Sequence, residues 1–436
     1  MKIEDVLNDL QASDLLTIVG PHWQESMASF PDGVPDFLRP EQIRTNLQWC
    51  GFEAEFEPAL IGAAGKIAAN RSLLCLAWHY YRMIFEYEAG KSPLRFVPLE
   101  KTLGDDAAIF YLLIALAIVP RMRTFHRRLG VPEQVTRDTC LQVKCYCDNY
   151  RRGHAGRLGI CVEQIGWLNN YVNGSLFFRL GRFEYCSHPF PYEYKVYRHR
   201  EKGRMIALAG PAWKINSSGL IEGIGADTEA GSGWQTTLKQ IGADTCGFPI
   251  NPKGFVEPNL VRLPGVEWEC VLEKGVQVLV MHIPAGGGMS LEKCSESLQE
   301  ARRFFREYFP STAPRAIVTM SWMFSPILEQ ILPADSNLVK FMRELYLCPF
   351  NSRGPDSLWF VFLQRPLDLA TAPDETSLQK AILNYLRAGK TWHDGSMFLM
   401  LDDIDRFGGQ WYRASYSTGD LSCPPEHCQK CPKNNE

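Results

Sequence analysis

The stretch VLVMHIPAGGGMSLEKCSESLQEARRFF, residues 278–305, decides how the rest of the chain is read. An apolar run of strand type enters three consecutive glycines and leaves as an amphipathic helix. Leu291, Cys294, Leu298, Ala301, Phe305 and Tyr308 fall on one face of a helix of about five turns over residues 291–309, and such a face needs a sheet or another helix to cover it. Ser290 is a good N-cap, and Arg302, Arg303 and Arg306 lie toward the end where cations suit the helix dipole. The helix therefore starts directly after the glycines.

The first amides of a helix have no intrahelical partner, and glycines let a ligand approach the main chain closely. Gly286, Gly287, Gly288 and Ser290 together could seat a phosphate or pyrophosphate. A glycine run can also be nothing more than a mobile connection. His282 ends the strand before it, where it could take a proton from a nucleophile or simply cap the strand.

Outward from this junction, the C-terminal half alternates strand and helix signals: LFFRLGRFEYC, MIALAG, LVRLPGVEWECVL and VQVLVMHI as strands, then strand 316–322, helix 326–332, strands 338–347 and 358–364, helix 376–388 and strand 397–401. Residues 215–245 read as a long loop or hairpin. Strands leading into helices and back argue for a mixed sheet with helices on it. Residues 1–173 are helical in pattern: Leu73, Leu74, Ala77, Tyr80, Tyr81 and Ile84 keep the three-and-four spacing, and breaks fall at prolines and at Gly130-Val131-Pro132. The expected organisation is a helical bundle domain over 1–173, an α/β domain over 174–401 and a loose tail over 402–436, α+β in class.

At 436 residues, 45% hydrophobic and 22% charged, the chain can bury a sizeable core. A net charge of -3 gives no reason to expect nucleic acid or a polybasic membrane surface as partner. The start MKIEDVLNDLQASDLL lacks the basic-then-apolar order of a secretory leader, so the expected location is the cytoplasm. The most apolar segment, AAIFYLLIALAIV at 107–119, is shorter than the roughly 18–20 residues that span a bilayer, and no membrane insertion is expected. Fourteen cysteines are too sparse for a disulfide scaffold.

Leu180-Gly181-Arg182-Phe183-Glu184, His282-Ile283-Pro284, Ser321-Trp322, Ser336-Asn337 and DETSLQKAILNYLRAG at 374–389 together resemble a bacterial family of acyltransferase-domain proteins, in which a helical N-terminal domain precedes a GNAT-like C-terminal domain. The resemblance runs from about Leu74 to about Leu401. It implies that 276–283 is the GNAT strand that splays from its neighbour, that 291–309 receives the pyrophosphate of an acyl-CoA or CoA co-substrate, that 316–322 is the next strand, and that 326–332 lies beside the pantetheine arm. The Gln/Arg-x-x-Gly-x-Gly/Ala signature of that family's acetyl-CoA binders is replaced here by Ile283-Pro284-Ala285-Gly286-Gly287-Gly288.

The resemblance implies a transferase moving an acyl group to a small-molecule acceptor of amine type. Glu184, His282 and Ser321 are then the catalytic candidates, with Ile283, Pro284, Gly286, Gly287, Gly288 and Ser290 at the co-substrate. Glu184 lies in an apolar strand stretch and is either a general base raised by burial or an outward, solvated acid. Ser321 could hydrogen-bond near the thioester, while Trp322 reads as a core aromatic. The alternative is a non-catalytic binding protein on the same scaffold.

Three further patterns weigh less. Arg127-Arg128-Leu129-Gly130-Val131-Pro132 imitates the missing signature but joins two helices. Gly389-Lys390-Thr391 imitates the end of a P-loop but leaves a helix, and Gly389 reads as its C-cap. Cys423, Cys428 and Cys431 have only part of a zinc ligand set, and no metal is expected.

Overall fold

The computed structural model describes residues 1–87, 96–173, 175–222, 233–352 and 354–421. The chain divides into two compact units: Met1–Cys186 together with Ile283–Gly287, and Ser187–His282 together with Gly288–Glu436. The helical unit thus extends past the expected limit at 173 to include a β-hairpin and most of the glycine run.

In the helical unit the main elements are α1 (Pro40–Trp49), α2 (Arg71–Phe85), α3 (Ala107–Leu116), α4 (Ile118–Arg128) and α5 (Glu133–Gly153). Asn70 caps α2 by accepting from the amides of Ser72 and Leu73 at 2.9 and 3.1 Å. Leu73, Leu74, Ala77, Tyr80 and Ile84 then point into the core, as their spacing demands. The helical run Glu100–Arg128 is longer than the apolar segment alone, and long and apolar enough to cross a membrane, yet 67% of its apolar window is buried inside the protein. It is read as the core helix of the unit. The Gly130 turn joins α4 to α5 with φ +71°, as its sequence implied.

Strands β1 (Phe178–Leu180) and β2 (Phe183–Pro189) follow as an antiparallel hairpin with Leu180 opposite Phe183. Gly181, at φ +63°, takes the first corner of this two-residue turn, the position where a positive φ matches the twist of the strands.

The second unit is built on a sheet ordered β3-β4-β6-β5, where β3 is Gln277–His282, β4 Ala316–Ser321, β5 Tyr346–Pro349 and β6 Gly395–Met400. Helix α6 (Leu291–Tyr308) buries Cys294, Ser297, Leu298, Ala301, Phe304 and Phe305. Each large apolar side chain among these contributes about 1.5–3 kcal/mol by leaving water. Two shorter helices, α7 (Asn337–Arg343) and α8 (Ser377–Arg387), complete this region. Thr376 and Gln379 close a capping box on α8, and Gly389 follows it at φ +75°. Further sheets pair Lys195–His199 with Met205–Leu208 and Trp268–Leu272, and Leu238–Ile241 with Asp244–Gly247. Within 215–245 the described residues form hairpins, with Ile215 opposite Trp234.

Three expectations are corrected. The strand expected over 338–347 is α7 followed by β5, because Ser336 caps Val339 N–H and starts a helix. The strand expected over 358–364 is the short helix Trp359–Phe362; Leu358 and Phe362, four apart, are its buried side chains, and a short apolar run does not reveal its period. The tail is folded as far as Leu421. Asp403, Ile404 and Tyr412 are buried, and Leu421 joins a core cluster with Tyr197, Leu208, Leu263 and Trp268 while its carbonyl accepts from Arg262 N–H at 2.8 Å. Polar composition hid anchors that only long-range partners reveal. Cys423, Cys428 and Cys431 lie outside the described residues.

Candidate functional site

In the sheet unit, β3 and β4 run parallel, so His282 and Ser321 finish at the same edge. Their register covers Leu279 with Ile317 and Val280 with Val318. β3 runs on to His282 and β4 to Ser321, and β4 stays paired to β6 all the way to Ser321 opposite Gly395. The C-terminal ends of parallel strands, where the chain leaves the sheet for loops and helices, are where open α/β sheets receive ligands.

His282 is half-buried at the end of β3. Ser321, also half-buried, accepts from Met323 N–H at 3.2 Å, so its O–H remains able to donate. Trp322 is half-buried rather than a core aromatic. A Cβ added at Gly395 would overlap the Phe324 carbonyl oxygen, so a glycine there is what lets the turn after β4 cross close to β6.

Beyond His282, Gly286, Gly287 and Gly288 all take positive φ, at +81°, +73° and +72°. This is a conformation that side chains disfavour, so the three consecutive glycines are required by the path of the chain. A Cβ at Gly286 or Gly288 would meet no atom within 4 Å. Ser290 then caps α6 by accepting from Lys293 N–H at 3.5 Å, and the amides of Leu291 and Glu292 precede the first intrahelical acceptor. A main-chain approach that is open at Gly286 and Gly288 and leads to the N-terminus of an 18-residue helix fits an anionic group.

In the helical unit, residues Ile283–Gly287 meet two side chains of that unit. Arg182, at the second corner of the β1–β2 turn, donates from Nη1 to the Pro284 carbonyl at 2.9 Å, and a Cβ on Gly287 would stand 3.4 Å from its Cδ and Nε. The Cys145 thiol lies 3.7 Å from the Ala285 carbonyl, and burial raises its pKa. A guanidinium thus sits against the glycine run, a cation that the linear signature lacks.

Glu184 is fully buried and far from a solvated acid. Its carboxylate accepts from Tyr171 Oη at 2.6 Å and from Arg179 Nε and Nη2 at 3.1 and 2.9 Å. Burial, then the Glu184 charge, pushes the Tyr171 hydroxyl far above its ordinary range, so Tyr171 stays a donor. Arg179 also donates to Gln142 from α5, and its own amide donates to Thr139 Oγ1 at 3.0 Å. Sequence reading missed Arg179, Tyr171 and Arg182. The signal for the first was present: a two-residue turn at Gly181-Arg182 puts Arg179 opposite Glu184. Nothing in the sequence marked Arg182 against residues about a hundred positions away.

The GNAT-like C-terminal domain matches residues 177–399, just over half of the chain. The chain belongs to this GNAT-like family. The N-acyltransferase N-terminal domain matches residues 42–174 ahead of it, giving the two-domain arrangement of helical and GNAT-like parts. Solved structures with the same fold include an acyltransferase mutant in complex with octanoyl-CoA, at 21% identity over 92% of this chain and 99% of that chain with a TM-score of 0.60. An acyltransferase in complex with decanoyl-CoA and teicoplanin matches at 23% identity over 92% of this chain and 100% of that one, with a TM-score of 0.59. No curated protein matches the chain. Within the GNAT-like chain, no three His, Cys, Asp or Glu side chains among the described residues gather as a metal-holding group.

Proposed function

We propose that the protein transfers an acyl group from acyl-CoA to the amine of a small-molecule acceptor. The observation that carries this reading is the passage of β3, a strand parallel to β4, through a glycine run of positive φ into a capped 18-residue helix. Family membership and the acyl-CoA complexes of proteins with this fold support it. Teicoplanin in one of those complexes supports an acceptor of small-molecule size.

Acyl-CoA supplies an activated thioester carbonyl. The continuous main chain from Gly286 to Ser290 and the N-terminal amides of α6 hold the pyrophosphate. His282 takes the proton from the attacking amine as the new C–N bond forms and the C–S bond breaks, and that proton returns to the departing thiolate. Ser321 donates to the sulfur or carbonyl region. Glu184, engaged by Arg179 and Tyr171, fixes the hairpin that carries Arg182 and acts as a positioning residue.

Titration of the purified chain with CoA, octanoyl-CoA and decanoyl-CoA tests the reading. Saturable binding is expected, weakened at least about tenfold more by Gly288→Asp than by Gly288→Asn, which imposes the same backbone strain at φ +72° without the anion. His282→Ala should keep binding and lower turnover with an amine acceptor by about 10²–10⁴. Indifference to all three thioester-series ligands overturns the proposal. Binding with no transfer to any amine would leave the non-catalytic alternative.

A further inference from the structure

The helical unit carries an open cavity of about 600 Å³ that the acyl-transfer reading does not use. Its volume is that of a site for a drug-sized molecule. One wall is a stack of aromatic rings: Phe37 lies on Tyr81 at 5.1 Å and 12°, and Tyr81 lies on Trp78 at 5.2 Å and 20°. Ala117 and, on α4, Arg121, Thr124 and Arg128 also line it, at the spacing of one helix face. Ala117 is buried at the base of this stripe, while Thr124 and Arg128 are exposed.

The charges lining the cavity are unequal. Arg121 is committed, with Nε donating to Tyr81 Oη at 3.0 Å, Nη1 to the Phe85 carbonyl at 3.2 Å and Nη2 to Glu86 at 2.6 Å. The one carboxylate in the lining, Asp36, is exposed and pairs with Arg39 at 3.1 Å. Arg128 is exposed, and among the described residues it forms no ion pair. An entering ammonium would meet two guanidinium groups, whereas an entering carboxylate would meet an uncompensated one.

We infer that this cavity is a binding site for a small organic anion with an apolar or aromatic body. Arg128 holds the acid group at the mouth, and the body lies against Phe37, Trp78 and Tyr81. The site uses residues of the helical unit alone, so it stands or falls independently of acyl transfer.

Calorimetric titration of the full chain with 4-phenylbutyrate, 4-phenylbutan-1-ol and 4-phenylbutylamine tests it. The acid should bind saturably at one per chain, at least about threefold tighter than the alcohol, with the amine weakest. Arg128→Gln should bring the acid to the level of the alcohol. Thr124→Trp, at an exposed position that fills the cavity, should abolish all three; both variants keep their surroundings, which circular dichroism and thermal melting verify. The inference is overturned if the acid does not saturate, if the amine binds as well as the acid, or if binding survives Thr124→Trp in a folded protein.

Discussion

Glu184 in the helical unit and Asp403 in the sheet unit are both closed off from solvent, and each carboxylate faces an arginine and a tyrosine. Glu184 meets Arg179 and Tyr171; Asp403 meets Arg198 at 2.9 Å and Tyr412 at 3.2 Å. The difference lies in how the partners arrive. Arg179 is five residues from Glu184 across a tight turn, while Arg198 is 205 residues from Asp403. A short hairpin delivers the first pair with its geometry set by register, with both Arg179 nitrogens near one oxygen. The second pair rests on tertiary folding, and burial outweighs Arg198 and Arg406 in setting the acid's affinity for its proton, leaving its pKa raised. The same three residue types therefore make a locally fixed charge pair in one unit and a reluctant carboxylate in the other.

Removing Glu184 is the strongest way to break that comparison. Glu184→Ala leaves the guanidinium of Arg179 in a site where its side chain is only 12% exposed, and loss of one partner of a buried pair costs about 3–5 kcal/mol. Urea unfolding without any substrate should register this loss. The double variant Arg179→Met with Glu184→Leu should recover most of it, because an apolar pair leaves no unpaired charge. A loss below about 1 kcal/mol would mean the pair does little for the fold, and Glu184 would return as a candidate base.

Acid sharpens the contrast between the units. His79 and His126 in the helical unit are buried, with Nδ1 within 2.9 Å of Ser26 Oγ and 3.0 Å of Thr136 Oγ1, and burial lowers both pKa values from 6.5 to about 4. A histidine whose folded pKa is depressed gives stability that is present above the unfolded pKa and lost as pH falls from 6.5 to about 4. The loss is on the order of 3 kcal/mol for each ring over that window. Unfolding free energies measured by urea at pH 7 and pH 4.5 should fall accordingly, and less steeply in His126→Gln. A flat profile would mean that these rings are charged or reached by water.

Arg182 links the hairpin to function. Arg182→Ala should weaken CoA binding about tenfold, roughly 1.4 kcal/mol, with little change in urea stability, since the group is polar and near the surface. Unchanged affinity would make the arginine a loop clamp only.

The junction at 278–305 was legible because local signals agreed there: a strand-type run, glycines that the path requires, and a serine cap with an apolar face behind it. The splay expected between β3 and β4 came from resemblance, since a parting of two strands leaves no trace in either one's sequence. Glu184 was visible as an acid in an apolar strand, but its alternatives could not be decided without Tyr171, which arrives from another element. Asp403 and Tyr412 were read as tail because each is polar in itself and acquires a role only beside Arg198 and Met400. The cavity was out of reach for the same reason, as Tyr81 and Arg128 are separated in sequence and periodicity assigned Tyr81 to the core face.

The smallest expected effect tests the other half of the opening comparison. Asp403 has a raised folded pKa, with burial as its leading cause, so its contribution to stability is fully present below the unfolded value of about 3.9 and is lost as pH rises through the folded value. Asp403→Asn carries a neutral group at every pH. The stability of the variant relative to the natural chain should therefore increase as pH rises from 4 toward neutrality. The shared histidines titrate alike in both proteins and cancel in this difference, which urea midpoints at pH 4, 5.5 and 7 resolve. The amide leaves Arg198 less well paired, but that offset does not vary with pH, so the slope and not the absolute value is diagnostic. A flat or falling difference would mean that Arg198 and Arg406 hold Asp403 charged throughout. The two carboxylates would then be one kind of group in two places, and the contrast between local and long-range partners would have no consequence for their chemistry.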